Sequence, residues 1–167
     1  MEPELERAVG GIYERRDRER MAPTIAAFET LAAAHPDVPE LVYEVAGAYD
    51  TAGEEELARP LYERALAMGL EGDALRRCLL QYGSTLRNLG ELDASLAALD
   101  RAAAAFPASV AVQVFRSLTL HELGRSDAAM AALLATLAEH GVGDLDRYRA
   151  AASGNAEFLL ERDRRTT

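Results

Sequence analysis

Three glycines close helical patterns at a near-constant spacing, and this recurrence constrains the chain more than any other feature. They stand in Ala52-Gly53-Glu54-Glu55, Leu89-Gly90-Glu91-Leu92 and Leu123-Gly124-Arg125-Ser126-Asp127, each followed by a polar, acidic start to a new helix. Gly90 and Gly124 lie 34 residues apart; Gly53 and Gly90 lie 37 apart, a difference that a three-residue insertion near Leu70-Glu71-Gly72 absorbs. A helix that stops and reverses needs a residue at ease in the left-handed conformation, and glycine is that residue. Further positions keep the same frame. Seven residues before the turn glycine stand Ala46, Gly83 and Ser117, and five after it stand Ala58, Ser95 and Ala129, all small. Nine after it come the large apolar Tyr62, Leu99 and Leu133, and twelve after it Ala65, Ala102 and Thr136. Small residues let paired helices approach closely, and a large one fills the gap toward the next pair. The pattern predicts an antiparallel helix pair, repeated, in which each pair needs its neighbour to bury a face.

Composition agrees with helices. Alanine and leucine dominate, tryptophan is absent and aromatics make up only 6% of the chain, which favours helix over sheet. With 49% hydrophobic and 28% charged residues in 167, there is enough apolar material for a core and room for one domain or one short solenoid.

The chain resembles the tetratricopeptide repeat family over residues 39–143, where Tyr49, Ala58, Tyr62, Ala65, Gly83, Gly90, Ala102 and Pro107 fall on the family's signature positions. The runs Leu79 to Gly90 and Ala58 to Leu66 look more particularly like short, free-standing bacterial members. The resemblance implies an all-α fold: a right-handed superhelical stack of antiparallel helix pairs, an α-solenoid of about nine helices with a C-terminal capping helix. The repeats are expected at 39–75, 76–109 and 110–143, with a degenerate one at 5–38, within a single domain spanning 1–167. Phe28 and Pro36, each 34 before Tyr62 and Leu70, support the degenerate repeat, although Gly10-Gly11 is expected to interrupt its first helix. Arg116 stands where an apolar residue is usual, and Pro60 lies inside a helix, where proline ordinarily costs ~3 kcal/mol. After Gly141-Val142-Gly143 a helix over 144–163 should cap the stack through Leu145, Tyr148, Phe158 and Leu159, with Ser153-Gly154-Asn155 as a candidate kink.

Signals for chemistry are weak. Cys78 is a lone cysteine beside Arg76 and Arg77, and a small buried helical residue is the simpler reading. His35, His121 and His140 are dispersed, without metal-ligand spacing; His35 and His140 fall at ends of second helices, while the frame puts His121 on a first helix. No phosphate-binding loop, dinucleotide fingerprint or nucleophile elbow occurs, so no catalytic residue, metal or cofactor is expected and the chain reads as a non-enzyme. The arginines of Glu14 to Arg20 are interleaved with acids and lack an aromatic platform, which suits a solvated inter-helix face better than a nucleic-acid patch. A formal charge of -10, from 18 basic and 28 acidic residues, argues in the same direction. All 18 basic residues are arginine, which with the alanine richness suggests a GC-rich, bacterial source. Met1 to Glu6 is acidic without an apolar stretch, and no apolar run approaches the ~18 residues of a membrane span. A soluble, cytoplasmic protein is the expectation.

A stack of helix pairs presents a concave surface lined by its first helices. In this frame that surface carries Tyr43, Gly47 and Asp50, then Arg77, Leu80, Gln81, Ser84 and Arg87, then Val114, Leu118 and His121. The resemblance implies that these positions take an extended peptide or a helix of a protein partner. Arg77 and Arg87 suit acidic groups, and Leu80, Val114, Phe115 and Leu118 supply apolar surface. The alternative is a homodimeric scaffold that uses the same apolar surface for self-association.

Overall fold

The computed structural model describes residues 1–140 and 148–166. Among them are nine α-helices: α1 (Pro3–Glu14), α2 (Ala22–Ala34), α3 (Pro39–Thr51), α4 (Glu55–Ala67), α5 (Gly72–Asn88), α6 (Leu92–Ala105), α7 (Val110–Glu122), α8 (Ser126–His140) and α9 (Arg149–Thr166). The chain is all-α, as its periodicity and composition predict. It comprises two compact units, Met1–Gly90 and Glu91–Thr167.

Proline placed in the first two positions starts α1, α2 and α3, where its missing N–H leaves no intrahelical bond unmade. The turn glycines end the first helices as expected. Gly53, Gly90 and Gly124 have φ of 77°, 78° and 78°. In the α3–α4 and α7–α8 turns the next residue's amide reaches back five places, Glu54 N to Tyr49 O at 3.0 Å and Arg125 N to Leu120 O at 2.9 Å, which is the Schellman closure of a helix end. The extra residues between Gly53 and Gly90 lengthen a helix: α5 has 17 residues where α3 and α7 have 13.

Two expected interruptions do not occur. Gly10 and Gly11 lie within a continuous α1, whose Leu5, Val9 and Ile12 are buried, so three apolar anchors on one face outweigh the weak helix preference of the glycines. Ser153, Gly154 and Asn155 likewise lie within a continuous α9, where the Asn155 side chain donates to the Ala151 carbonyl at 2.8 Å. Helix α4 also continues through Pro60.

In the first unit, α3 is the hub. It buries Leu41, Val42, Tyr43, Glu44, Val45, Ala46 and Ala48, and a helix buried on most sides must have neighbours on most sides. It packs on α2, α4 and α5. Leu41, Val45 and Ala48 join Phe28 and the α1 anchors in one core cluster; Val42, Tyr43 and Ala46 join Ala58, Tyr62, Ala65, Leu70 and Cys78 in another. Of the small and large positions in the 34-residue frame, all are buried except Leu133, which is half-buried.

The second unit rests more on small residues and ion pairs. Leu120, Ala128 and Ala129 form a core cluster with Leu96 packed against it, and the Ser95 and Thr119 hydroxyls meet at 2.9 Å between α6 and α7. Arg116 turns its guanidinium to Asp100 on α6, which explains how a cation occupies a position that favours apolar side chains. Helix α9 corrects the sequence expectation in detail. Tyr148 and Phe158 are exposed and Leu159 only half-buried, whereas Ala152, Ala156 and Asp163 are buried; Gly141, Val142, Gly143 and Leu145 lie outside the described residues. Helix α9 seats on α8 through alanines and two ion pairs, Arg125 to Asp163 at 2.8 Å and Arg162 to Asp127. Asp163→Asn therefore should loosen α9, costing ~1–3 kcal/mol as a charge-assisted bond is weakened in a buried place. Hydrogen exchange should speed up across 149–166 and leave α3 unchanged; unaltered exchange in α9 would show that the alanine packing alone holds it.

Candidate functional site

The first helices of the first unit bring together a polar cluster on the side of α3 that α5 and the end of α1 approach. Glu44 is its centre. Although charged, it is 4% exposed, and the Tyr13 hydroxyl of α1 donates to its Oε2. Arg16, in the turn after α1, and Arg77 of α5 both act on it electrostatically. Each guanidinium also covers an aromatic ring: Arg16 lies 4.9 Å from the centroid of Tyr13 and Arg77 lies 5.4 Å from that of Tyr43. The Arg77 Nε pairs with Asp73 at 3.1 Å on its own helix, an exposed pair of small energetic weight.

Burial raises the Glu44 carboxyl above its ordinary range, an effect that the Tyr13 hydrogen bond and the two arginines oppose without cancelling. The same burial, with the Glu44 charge nearby, raises Tyr43 to about 12 and raises Tyr13 as well. Both phenols therefore remain protonated donors at neutral pH.

One turn and a half further along α3, a second cluster surrounds Asp50. Its Oδ1 accepts from the Thr85 hydroxyl at 3.0 Å, and its Oδ2 lies 3.2 Å from the hydroxyl of fully buried Tyr62. Gln81 Oε1 is 3.1 Å from the same hydroxyl. Gly47 closes this cluster: a Cβ there would stand 3.4 Å from the Gln81 oxygen. Desolvation raises Asp50, against the pull of the Thr85 and Tyr62 hydrogen bonds.

The concave-surface residues named from the sequence thus divide by role. Tyr43 is corrected outright: at 3% exposure it is core, its ring packed toward Tyr62 with centroids 6.3 Å apart, and Arg77 covers it. Asp50 and Gln81 are half-buried and engaged in the internal network, and Gly47 is half-buried beside them. Arg77 is exposed, while Leu80, Ser84 and Arg87 are half-buried along α5. In the second unit Val114, Leu118 and His121 are exposed on α7, with Phe115 half-buried. His121 Nδ1 lies 3.4 Å from the Ser126 hydroxyl.

Tyr13, Arg16 and Glu44 were not among those residues. The one sequence sign was a glutamate inside the apolar run Leu41-Val42-Tyr43-Glu44-Val45-Ala46, where a charge needs a partner. Tyr13 lies on α1 and Arg16 in the turn after it, and nothing in sequence spacing links that segment to α3.

Cys78 is fully buried, its Sγ 4.0 Å from the Tyr62 carbonyl. His35 caps α2, and His140 ends α8 with Nδ1 3.0 Å from the Thr136 carbonyl. Among the described residues no group of three or more His, Cys, Asp or Glu side chains is arranged to hold a metal, and no helix is long and apolar enough to cross a membrane.

Because folded Glu44 sits above its ordinary value of 4.5, between that value and the raised one the folded chain keeps a proton there that the unfolded chain has released. The sign is opposite to that of a salt-bridged carboxylate: stability linked to Glu44 is fully present below the ordinary range and is lost as pH rises through the raised value. Glu44→Gln keeps an acceptor for Tyr13 and removes the charge. It should raise the thermal midpoint at neutral pH and give no gain in acid below the carboxylate range. Equal midpoints at neutral pH would mean that the arginines fully offset the burial.

A sequence model of the tetratrico peptide repeat family matches residues 39–159. Among solved structures, the chain is similar to YrrB, described as a TPR protein with an unusual peptide-binding site, with TM-score 0.61 and 18% identity over 86% of this chain and 76% of that one. It is also similar to the MamA RS-1 ArsTM double mutant, with TM-score 0.65 and 15% identity over 100% of this chain and 99% of that one. No curated protein sequence matches it.

Proposed function

The chain belongs to the tetratricopeptide repeat family, and from that premise we propose that it binds a peptide or helix of another protein on the inner face of its first helices. Interaction with other proteins is the general work of this fold; the groove and the character of the ligand are the finer part of the proposal. One observation carries it. On α5 the exposed Arg77 guanidinium stands over the buried Tyr43 ring, with Leu80, Gln81 and Ser84 half-buried along the same helix. A cation held over an apolar bed, flanked by short polar side chains, suits a segment with acidic and apolar residues. The peptide-binding site ascribed to YrrB supports looking for a peptide, although likeness at 18% identity carries only the fold.

In this reading the helices are repeats at 39–75, 76–109 and 110–143, after a degenerate one at 5–38 and before a cap beginning near 144, in one functional domain. The protein is a non-enzyme without cofactor. A charge of -10 turns it away from nucleic acid, and the single, buried Cys78 is at home in a reducing cytoplasm.

Arg77→Glu, combined with Leu80→Asp, should reduce retention of acidic, leucine-containing peptides on an array by about tenfold or more while leaving the helical circular dichroism unchanged. Unchanged retention would reject the inner-face assignment.

A second reading rests on a different observation. Val110, Val114 and Leu118, at 41%, 36% and 44% exposure, recur every four residues along one face of α7. Such a stripe suits self-association into a homodimeric scaffold. Light scattering at tens of micromolar separates the two: a dimer that Leu118→Arg dissociates supports the scaffold, and a strict monomer removes it.

A further inference from the structure

Glu44 is the feature of the first unit that peptide binding alone leaves unexplained. A fully buried carboxylate flanked by two arginines reduces their attraction for an acidic ligand, so its presence works against the simplest form of the site. Charged and polar groups approach it from several elements. From α1 and the following turn come the Tyr13 hydroxyl, bonded to Oε2, and the Arg16 guanidinium. From α5 comes Arg77, 3.1 Å from Asp73. On α3 itself are Tyr43 and, one turn earlier, Glu40, which accepts from the Met1 ammonium at 3.3 Å. On the other helices packed against α3, the Tyr62 hydroxyl of α4 lies against Asp50, and Glu29 of α2 accepts from Tyr49 at 2.6 Å.

Resting on the inner-face reading above, we propose that Glu44, Arg16 and Arg77 form a proton-gated anion site for a carboxylate of an acidic partner segment. With Glu44 ionised, it competes with the ligand for both guanidiniums, in addition to the exposed pairing of Arg77 with Asp73. When a solvent proton neutralises Glu44, Tyr13 still donates to Oε2 and the competition from Glu44 ends, leaving exposed Asp73 as the carboxylate that still pairs with Arg77. The cluster then favours a carboxylate through charge and through bidentate geometry at Arg77, whose apolar side is already fixed against Tyr43. Burial supports this assignment, since it lifts the Glu44 carboxyl above the range in which an aspartate ligand protonates, so ligand and gate are ready at the same pH. Linkage makes the gate reciprocal: if protonation strengthens binding, binding must draw a proton onto Glu44.

The probe is a dye-labelled peptide of alternating leucine and aspartate, blocked at both ends, with a leucine–asparagine peptide as control, titrated into the full chain by fluorescence anisotropy. The parent protein should bind the aspartate peptide more tightly as pH falls from neutral toward the carboxylate range, by about fivefold, the low end of coupling between two sites. Glu44→Gln should bind it at neutral pH as tightly as the parent does in acid, with a much flatter pH profile. Glu56→Gln removes the same charge from an exposed place on α4 and should keep the parent's profile, separating the gate from the general loss of negative charge in acid. Calorimetry in buffers of different ionisation enthalpy should show proton uptake on binding by the parent and much less by Glu44→Gln. Binding that is lost in Arg77→Glu, yet has the same pH profile in the parent and in Glu44→Gln, would overturn the gate and leave the inner face standing. Binding of neither peptide by the parent or by Glu44→Gln at any pH would overturn both.

Discussion

The close approach of α3, α4 and α5 around Tyr62 is the contact on which the first unit depends. A large aromatic side chain can be fully buried between helices only if the backbones around it come near, and they come near because Ala46, Ala58 and Ala65 are small and have no exposed surface. The buried hydroxyl then needs partners, and Asp50 and Gln81 provide them. Packing and polar satisfaction are thus one problem with one solution. That solution fixes where α3 and α5 stand, and with them where Tyr43, Glu44 and Arg77 face.

A consequence is that α3 carries, beyond half-buried Glu40 in its first turn, two further carboxylates of different character. Asp50 belongs to a closed network of hydroxyl and amide groups and serves the repeat. Glu44 has one direct bond, from Tyr13, and two arginines acting through space. Charge left in a low-dielectric setting without a close ion pair costs stability, and such costs are tolerated mainly where they serve recognition or switching. The second unit solves its own problem differently. Its helices meet through fully buried Leu99, Val112 and Leu120, through alanines, and through hydroxyl and charged pairs, while Val110, Val114, Leu118 and Phe158 stay exposed.

What could be read in advance follows the strength of the local signal. The 34-residue frame placed the turn glycines, the small positions and the plug Tyr62 because each obeys a steric rule that holds wherever helices pair. Glycine in the interior of α1 and α9 misled, since helix preference is worth about 1 kcal/mol per residue and burial of Leu5, Val9 and Ile12 exceeds it. Tyr43 misled for a related reason: the frame gave its helix face but could not show that Arg77 would lie across it.

The sequence by itself determined the helical class, the family and the turn positions, because these follow from periodicity and from the steric size of single residues, and it nominated a set of first-helix residues for an inner face. Only the tertiary structure decided which of those residues remain available. It withdrew Tyr43 into the core, committed Asp50 and Gln81 to Tyr62, left Arg77 outside, and joined Tyr13 of α1 and Arg16 of the following turn to Glu44 from more than two dozen positions away. The physical reason is that burial and electrostatic partnership belong to pairs of elements, and spacing along one chain records only the elements one at a time.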